Sequence, residues 1–337
     1  MCTGPFVYGK AAVTVYLFIL LLSKTIFIIL AKIRVLLMIK QPAHLKKGDK
    51  IAIVCPAKKL PKSIDTAISI LQEWGLEVVI GETVSASYHQ FAGDDTLRTA
   101  DLQRYLDDPE IKAIIAGRGG YGTLRIIDEL DFSKFVEDPK WIIGFSDITV
   151  LLSHIYAKYQ VQCIHGQMPY TFEESTPEAL ASLRTALFGG ELTYEIPTST
   201  SVKHRIGEAE GILIGGNLTL LVMLQGSESE IDYTDKILFI EDVGEHEYSI
   251  DRLMRMLKRS GKLSQLKGLI VGAFNGFEVE DIPFGASPEE VIWELVKEYD
   301  YPVCFNFPVG HIDDNRAMVV GKTSKIEITT TNSELKF

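Results

Sequence analysis

Trp141-Ile-Ile-Gly-Phe-Ser-Asp-Ile-Thr-Val-Leu-Leu-Ser-His-Ile-Tyr156 is the stretch from which the fold can be read. Trp141–Phe145 is strand-like, and Ile148–Tyr156 reads as a helix, with only Ser146 and Asp147 between them. A strand that passes straight into a helix belongs to a βαβ unit. The same alternation runs outward on both sides. Upstream, Lys50–Cys55 is a β-branched strand, Ser63–Trp74 a helix, Leu76–Ile80 a strand, Asp95–Leu106 a helix and Ile111–Ala116 a strand. Thr123–Leu130 reads as another helix, and Val161–Ile164, downstream, as a strand. Continuous apolar strands at this spacing predict a mainly parallel sheet covered on both faces.

Further on the pattern changes. Residues 172–206 are rich in turn residues and read as a linker around one helix. A second unit follows, with strands at Gly211–Ile214, Lys236–Ile240 and Leu266–Phe274 and a helix at Asn217–Leu224. Ile250, Leu253, Met254 and Leu257 have helical spacing.

The chain has 337 residues and a net charge of −11, with 46% hydrophobic residues, which suits about two globular domains. That charge argues against a broad nucleic-acid surface. The four cysteines are far apart and lack a C-x-x-C pair, so neither a disulfide framework nor a zinc site is expected. Residues 1–37 differ from the rest. They hold no acidic residue and four basic ones, Lys10, Lys24, Lys32 and Arg34, while the remaining 300 carry 30 basic and 45 acidic side chains. Ala12–Ala31 is long and apolar enough for a membrane span, although Lys24 in its middle weakens the reading. If it spans, the basic residues after it keep the body in the cytoplasm. The competing expectation is a domain that starts at Met38.

Three places could carry chemistry. Gly117-Arg-Gly-Gly-Tyr-Gly122 lies between a strand and a predicted helix and satisfies G-x-G-x-x-G, so it could serve a dinucleotide, another anion or only a turn. Ser146 stands at the carboxyl edge of the sheet, where a sharp turn would expose a nucleophile. Ser146 and Asp147 could equally be helix caps. Glu241 and Asp242 end a buried strand, and His311 lies in a polar loop. Ser146, Glu241 and His311 follow the order nucleophile, acid, base. Serine is a poor nucleophile until a histidine takes its proton, and a carboxylate must orient that histidine. His165 is a competing base. His44, His89, His154, His204 and His246 lack such a context and read as surface residues.

Six motifs resemble the LD-carboxypeptidase (muramoyltetrapeptide carboxypeptidase) family of serine peptidases, which includes microcin-immunity-like peptidases. They are the 117–122 turn, Gly144-Phe-Ser-Asp147, His165-Gly-Gln-Met-Pro169, Gly211-Ile-Leu-Ile-Gly-Gly-Asn-Leu218, Ile240-Glu-Asp-Val-Gly-Glu245 and Gly310-His-Ile-Asp-Asp-Asn-Arg-Ala317. The resemblance covers 38–337. It implies an N-terminal parallel-sheet, Rossmann/flavodoxin-like α/β domain at 38–171 and a smaller β-rich α/β domain at 207–337. It also implies a Ser146–Glu241–His311 triad, and an oxyanion hole from the amides of Asp147 and either Gly119 or Gly120. Release of the terminal D-Ala from a murein tetrapeptide, in peptidoglycan recycling, is the implied reaction. The resemblance implies no metal or other cofactor, a homodimer and a cytoplasmic setting. Arg118, Arg252 and Arg316 are candidates for the substrate carboxylate. The alternative within the family is a peptidase of aminoacyl-nucleotide or acyl-sulfamate conjugates. Outside it, the alternative is a dinucleotide- or phosphate-binding module built on residues 117–122.

Overall fold

The computed structural model describes residues 39–198, 202–276 and 283–337. The stretch expected to span a membrane, Ala12–Ala31, lies outside them. Among the described residues, no helix is long and apolar enough to cross a membrane.

Five of the six strands of the first sheet come from the N-terminal part of the chain: β1 (Lys50–Val54), β2 (Glu77–Ile80), β3 (Ile111–Ala116), β4 (Trp141–Gly144) and β5 (Cys163–His165). Their order is 2-1-3-4-5 and every pairing among them is parallel. That is the flavodoxin-like order, which places ligands at the carboxyl ends of the strands. β3 and β4 are almost wholly buried, as a sheet covered on both faces requires. Helices Asp65–Glu73, Asp95–Asp107 and Thr149–Tyr159 follow strands of this sheet.

The second sheet holds β6 (Thr193–Pro197), β7 (Gly207–Asn217), β8 (Lys236–Val243), β9 (Gly268–Asn275), β10 (Val303–Cys304), β12 (Thr323–Ile328) and β13 (Asn332–Lys336). β7 to β10 run parallel, and β12, β13 and β6 close one side as an antiparallel meander. β12 alternates exposed and buried residues, the mark of a strand wet on one face. Helices Leu218–Met223, Glu247–Arg259 and Pro288–Val296 complete this half.

Among the contacts that join the halves, two lie close to Ser146 and to β5. β11 (Met318–Val320) comes from the C-terminal part of the chain but pairs antiparallel with β5 of the first sheet. The Thr149 hydroxyl, just beyond Ser146, accepts the amide of Asn217 at the end of β7 at 3.1 Å.

Three expectations need correction. Thr123–Leu130 is not an α-helix but two three-residue 3-10 turns, Thr123–Arg125 and Ile127–Glu129. Ile126 caps both turns, and Ile126 and Ile127 both enter the core. The segment 172–206 carries helix Pro177–Phe188 and also β6, the edge strand of the second sheet. His154 is buried, its ring nitrogen Nδ1 2.9 Å from the Ser229 hydroxyl, because the helix Thr149–Tyr156 portion is covered on all sides.

Candidate active site

β4 ends at Gly144, Phe145 is extended, and Ser146 takes a left-handed conformation with φ of 62°. Such a conformation is costly for a residue with a side chain and is kept where the surroundings enforce it. Ser146 is half-buried between buried neighbours. Neither Ser146 nor Asp147 caps a helix. The Asp147 carboxylate instead accepts the amide of Thr123 at 2.8 Å and ties the Ser146 turn to the glycine-rich turn. Burial raises the Asp147 carboxyl above its ordinary value, against bonds from Thr123 that favour the charge.

The glycine-rich turn packs directly over Ser146. A methyl group on Gly119 would stand 3.0 Å from Ser146 Cβ and 3.2 Å from its Oγ. Gly120 lies one step out, with φ of +114° and the aliphatic stem of Lys58 across it. The turn is further held by the buried Arg98, which donates to the Gly122 carbonyl at 2.9 Å.

Glu241 and His311 meet in the second half. Glu241 is fully buried in β8, where the register with β9 slips between Ile240 and Asp242. The extra β9 residue lets the Ala273 amide donate to the Val309 carbonyl at 2.8 Å, which anchors the His311 loop. Gly310 has φ of +118°, and any Cβ there would lie 2.8 Å from Glu241 Cβ. Only glycine lets the loop close over that carboxylate. The result is a 2.8 Å contact between His311 Nδ1 and Glu241 Oε2. Asn275 Nδ2 donates to the His311 carbonyl at 2.7 Å, and Asn315 Oδ1 accepts the Gly310 amide at 2.9 Å.

The His311 ring meets the first half through Phe145, the residue before Ser146, at 4.9 Å between centroids. Burial acts to lower the His311 imidazolium, but the Glu241 charge and hydrogen bond prevail and raise it above its ordinary value. With Nδ1 committed to Glu241, Nε2 is the nitrogen left to exchange a proton.

The remaining candidates separate clearly. Arg118 donates to the Lys59 carbonyl at 3.0 Å, stacks 4.8 Å from the Tyr170 ring, and pairs with no carboxylate among the described residues. Arg316 already engages Asp314 through Nε and Nη2 at 3.0–3.2 Å. Arg252 donates to the Ser249 hydroxyl. His165 is fully buried and makes no bond to a carboxylate, whereas His311 does. Sequence reasoning missed the support of the acid. Asp242 accepts from Asn217 Nδ2 at 2.7 Å and from the Thr219 amide and hydroxyl, and burial followed by the Glu241 charge pushes its carboxyl up to about 6. The adjacent carboxylates in the sequence were the signal. Among the described residues, no group of three or more His, Cys, Asp or Glu side chains could hold a metal ion.

Comparison with known proteins identifies the family. Residues 51–166 match the LD-carboxypeptidase N-terminal domain, and 210–326 the LD-carboxypeptidase C-terminal domain. A probable murein peptide carboxypeptidase of Bacillus subtilis (strain 168) is 35% identical over 309 residues, 88% of this chain and 97% of that protein. The microcin C7 self-immunity protein MccF of Escherichia coli is 27% identical over 325 residues, 86% of this chain and 94% of that protein. The crystal structure of muramoyltetrapeptide carboxypeptidase from Oxalobacter formigenes superposes with a TM-score of 0.76 at 29% identity, covering 85% of this chain and 98% of that one.

Proposed function

We propose that this chain, which belongs to the LD-carboxypeptidase family and is a peptidase, releases the terminal D-Ala from murein tetrapeptide by a Ser146–His311–Glu241 mechanism. The observation that carries the reading is the His311–Glu241 pair, formed beside the strained Ser146 turn.

In this mechanism Ser146 Oγ attacks the carbonyl of the amide joining the L-centre to D-Ala, and His311 Nε2 takes the hydroxyl proton. Glu241 stabilises the imidazolium. The tetrahedral oxyanion is held by the Asp147 amide and by one amide of the Gly119–Gly120 turn, donors of a kind typically worth about 3–4 kcal/mol. The C–N bond then breaks as His311 returns the proton to the leaving amine. Water enters, gives a proton to His311 and frees Ser146 by the reverse steps. The Ser146–His311 hydrogen bond belongs to the substrate complex, since catalytic hydrogen bonds often tighten only there. Arg118, free of any carboxylate among the described residues, is the better placed cation for the D-Ala carboxylate; Arg316 is already neutralised by Asp314.

The same reading assigns the nucleophile to a domain at 38–171, the acid and base to 207–337, and the enzyme to cytoplasmic peptidoglycan recycling as a homodimer. The test is D-Ala release from murein tetrapeptide by the full chain, with Ser146→Ala and His311→Ala alongside. Loss by orders of magnitude in both folded variants is expected. Release that survives Ser146→Ala overturns the mechanism. If the wild type cleaves an aminoacyl-sulfamoyl nucleoside and not the tetrapeptide, the microcin-immunity-like reading replaces this one.

A further inference from the structure

His165 ends β5, directly opposite Gly144 of β4 and Met318 of β11. Its side chain is fully buried, and neither ring nitrogen has a hydrogen-bond partner in the protein. A neutral imidazole carries one N–H donor and one acceptor, and burying both unpaired is expensive. A complementary orphan lies in the same region. Glu241 Oε1 is also buried without a protein partner, while its twin Oε2 is held by His311.

Three observations bring these groups together. Phe239 packs edge-on against His165 at 5.1 Å between ring centroids. Glu241 is two residues further along β8, and β8 keeps its regular register with β7 through Glu241, so both side chains leave the same face. Phe145 spans the two imidazoles, 5.8 Å from His165 and 4.9 Å from His311. The charges of Glu241 and His311 both act on His165, and those of Glu241 and Asp242 on His311. Burial keeps the His165 ring neutral, pulling it down to about 4.

We propose that His165 is a positioning residue of the triad, its ring N–H holding Glu241 Oε1 through one buried water while His311 holds Oε2. A site of this polarity suits a bridging water, which needs a few polar partners. With one oxygen held, a carboxylate can still swing about its last torsion; with both held, it presents Oε2 to His311 in a single orientation. His165 thus serves the reaction without touching substrate. The inference rests on the triad reading above.

The test uses the full chain with His165→Phe, which keeps a ring but no donor, and His165→Gln, which keeps a donor. His165→Phe should lower kcat for D-Ala release about 10–100-fold, the scale that loss of an outer-shell partner costs at metal sites, with KM little changed. The acid limb of kcat/KM, which reports His311, should move to lower pH because a loosened Glu241 supports the imidazolium less well. The low-field proton resonance of the His311–Glu241 hydrogen bond should be lost. His165→Gln should recover most of the rate and the resonance. A folded His165→Phe variant with wild-type kcat, acid limb and resonance overturns the proposal, as does a folded His165→Gln variant no better than Phe. If His165→Phe does not fold, His165→Gln decides alone: retained resonance supports the proposal and its loss refutes it. A wild type that releases no D-Ala would count against the proposed reaction, and the resonance would still judge the role of His165.

Discussion

Replacing Gly119 with Ala should separate catalysis from stability. The Gly119 backbone is not in the left-handed region, so an alanine meets no conformational penalty there. The new methyl would stand 3.0 Å from Ser146 Cβ, 3.2 Å from Oγ and 3.3 Å from the Phe145 carbonyl. Carbon atoms settle near 3.5–4.0 Å, so the neighbours must yield by a few tenths of an ångström. Mild overpacking of this kind costs about 1 kcal/mol at the lower end of its usual range. The catalytic cost is larger. In the proposed mechanism the methyl crowds the Ser146 hydroxyl; alanine keeps its N–H, but a donor pushed out of reach of the oxyanion forfeits about 3–4 kcal/mol, or roughly 10²–10³ in kcat. The assay is D-Ala release by the full chain, measured beside thermal unfolding. A fall of two to three decades in kcat with a small drop in Tm is expected. Activity within threefold of wild type would refute the reasoning, because it would mean that the space between Gly119 and Ser146 is not where the acyl group is held.

Glu241→Gln keeps the shape of the acid but removes the charge that raises His311; kcat should fall by about 10³–10⁴, and the acid limb of kcat/KM should move to lower pH. Unchanged limbs in a pH profile would argue against this pair. Gly310→Ala forces a side chain onto φ of +118° and into Glu241, and should cost about 1–3 kcal/mol of stability together with most of the activity; a Tm and kcat/KM equal to wild type would contradict the packing described. For pH dependence of stability, His165 is held below its ordinary 6.5, at about 4, so its contribution is complete above 6.5 and is lost, by about 3 kcal/mol, as the pH falls through 4. Asp242 is held above 3.8, at about 6, so its contribution is complete below 3.8 and is lost, by about 3 kcal/mol, as the pH rises through 6. The two slopes oppose each other, and His165→Gln removes one of them: relative to wild type it should gain about 3 kcal/mol between pH 7 and pH 4 in urea unfolding, whereas a constant difference would discount the buried neutral ring.

The first sheet was legible because buried parallel strands leave short, continuous apolar runs, as in Ile111–Ala116 and Trp141–Gly144. The pairing of Glu241 with His311 was not legible from spacing, because 70 residues separate them and only the β8 register and the Gly310 turn bring them to 2.8 Å. β12 and β13 were not legible. Thr323–Ile328 alternates polar and apolar residues over only six positions, too little to stand out from a polar chain end. β11 was hidden for another reason: its partner, β5, lies far away in sequence, and pairing of that kind leaves no local periodicity. His154 was misread because a lone polar residue on an apolar helix says nothing of what covers it, and here Ser229 does. His165 was noticed as a histidine in a motif, but its two unpaired nitrogens appear only once β4, β8 and β11 surround it.

The site does not sit on the fold so much as join its two sheets. Ser146 follows β4, and Asp147 beside it fixes the glycine-rich turn through Thr123. Thr149, three residues on, receives the Asn217 amide from the second sheet. Asn217 then donates its side chain to Asp242, the neighbour of Glu241. Glu241 holds His311, and Asn275 of β9 holds the His311 carbonyl. From His311 the chain runs into β11, which returns to β5 of the first sheet beside His165. The left-handed conformation at Ser146 and the buried carboxylates are each unfavourable alone. The carboxylates are bonded where they are buried, Asp242 by Asn217 and Thr219 and Glu241 by His311, while Gly119 packs against the Ser146 side chain. The bonds that set Glu241 and His311 relative to Ser146 therefore run through residues of both sheets.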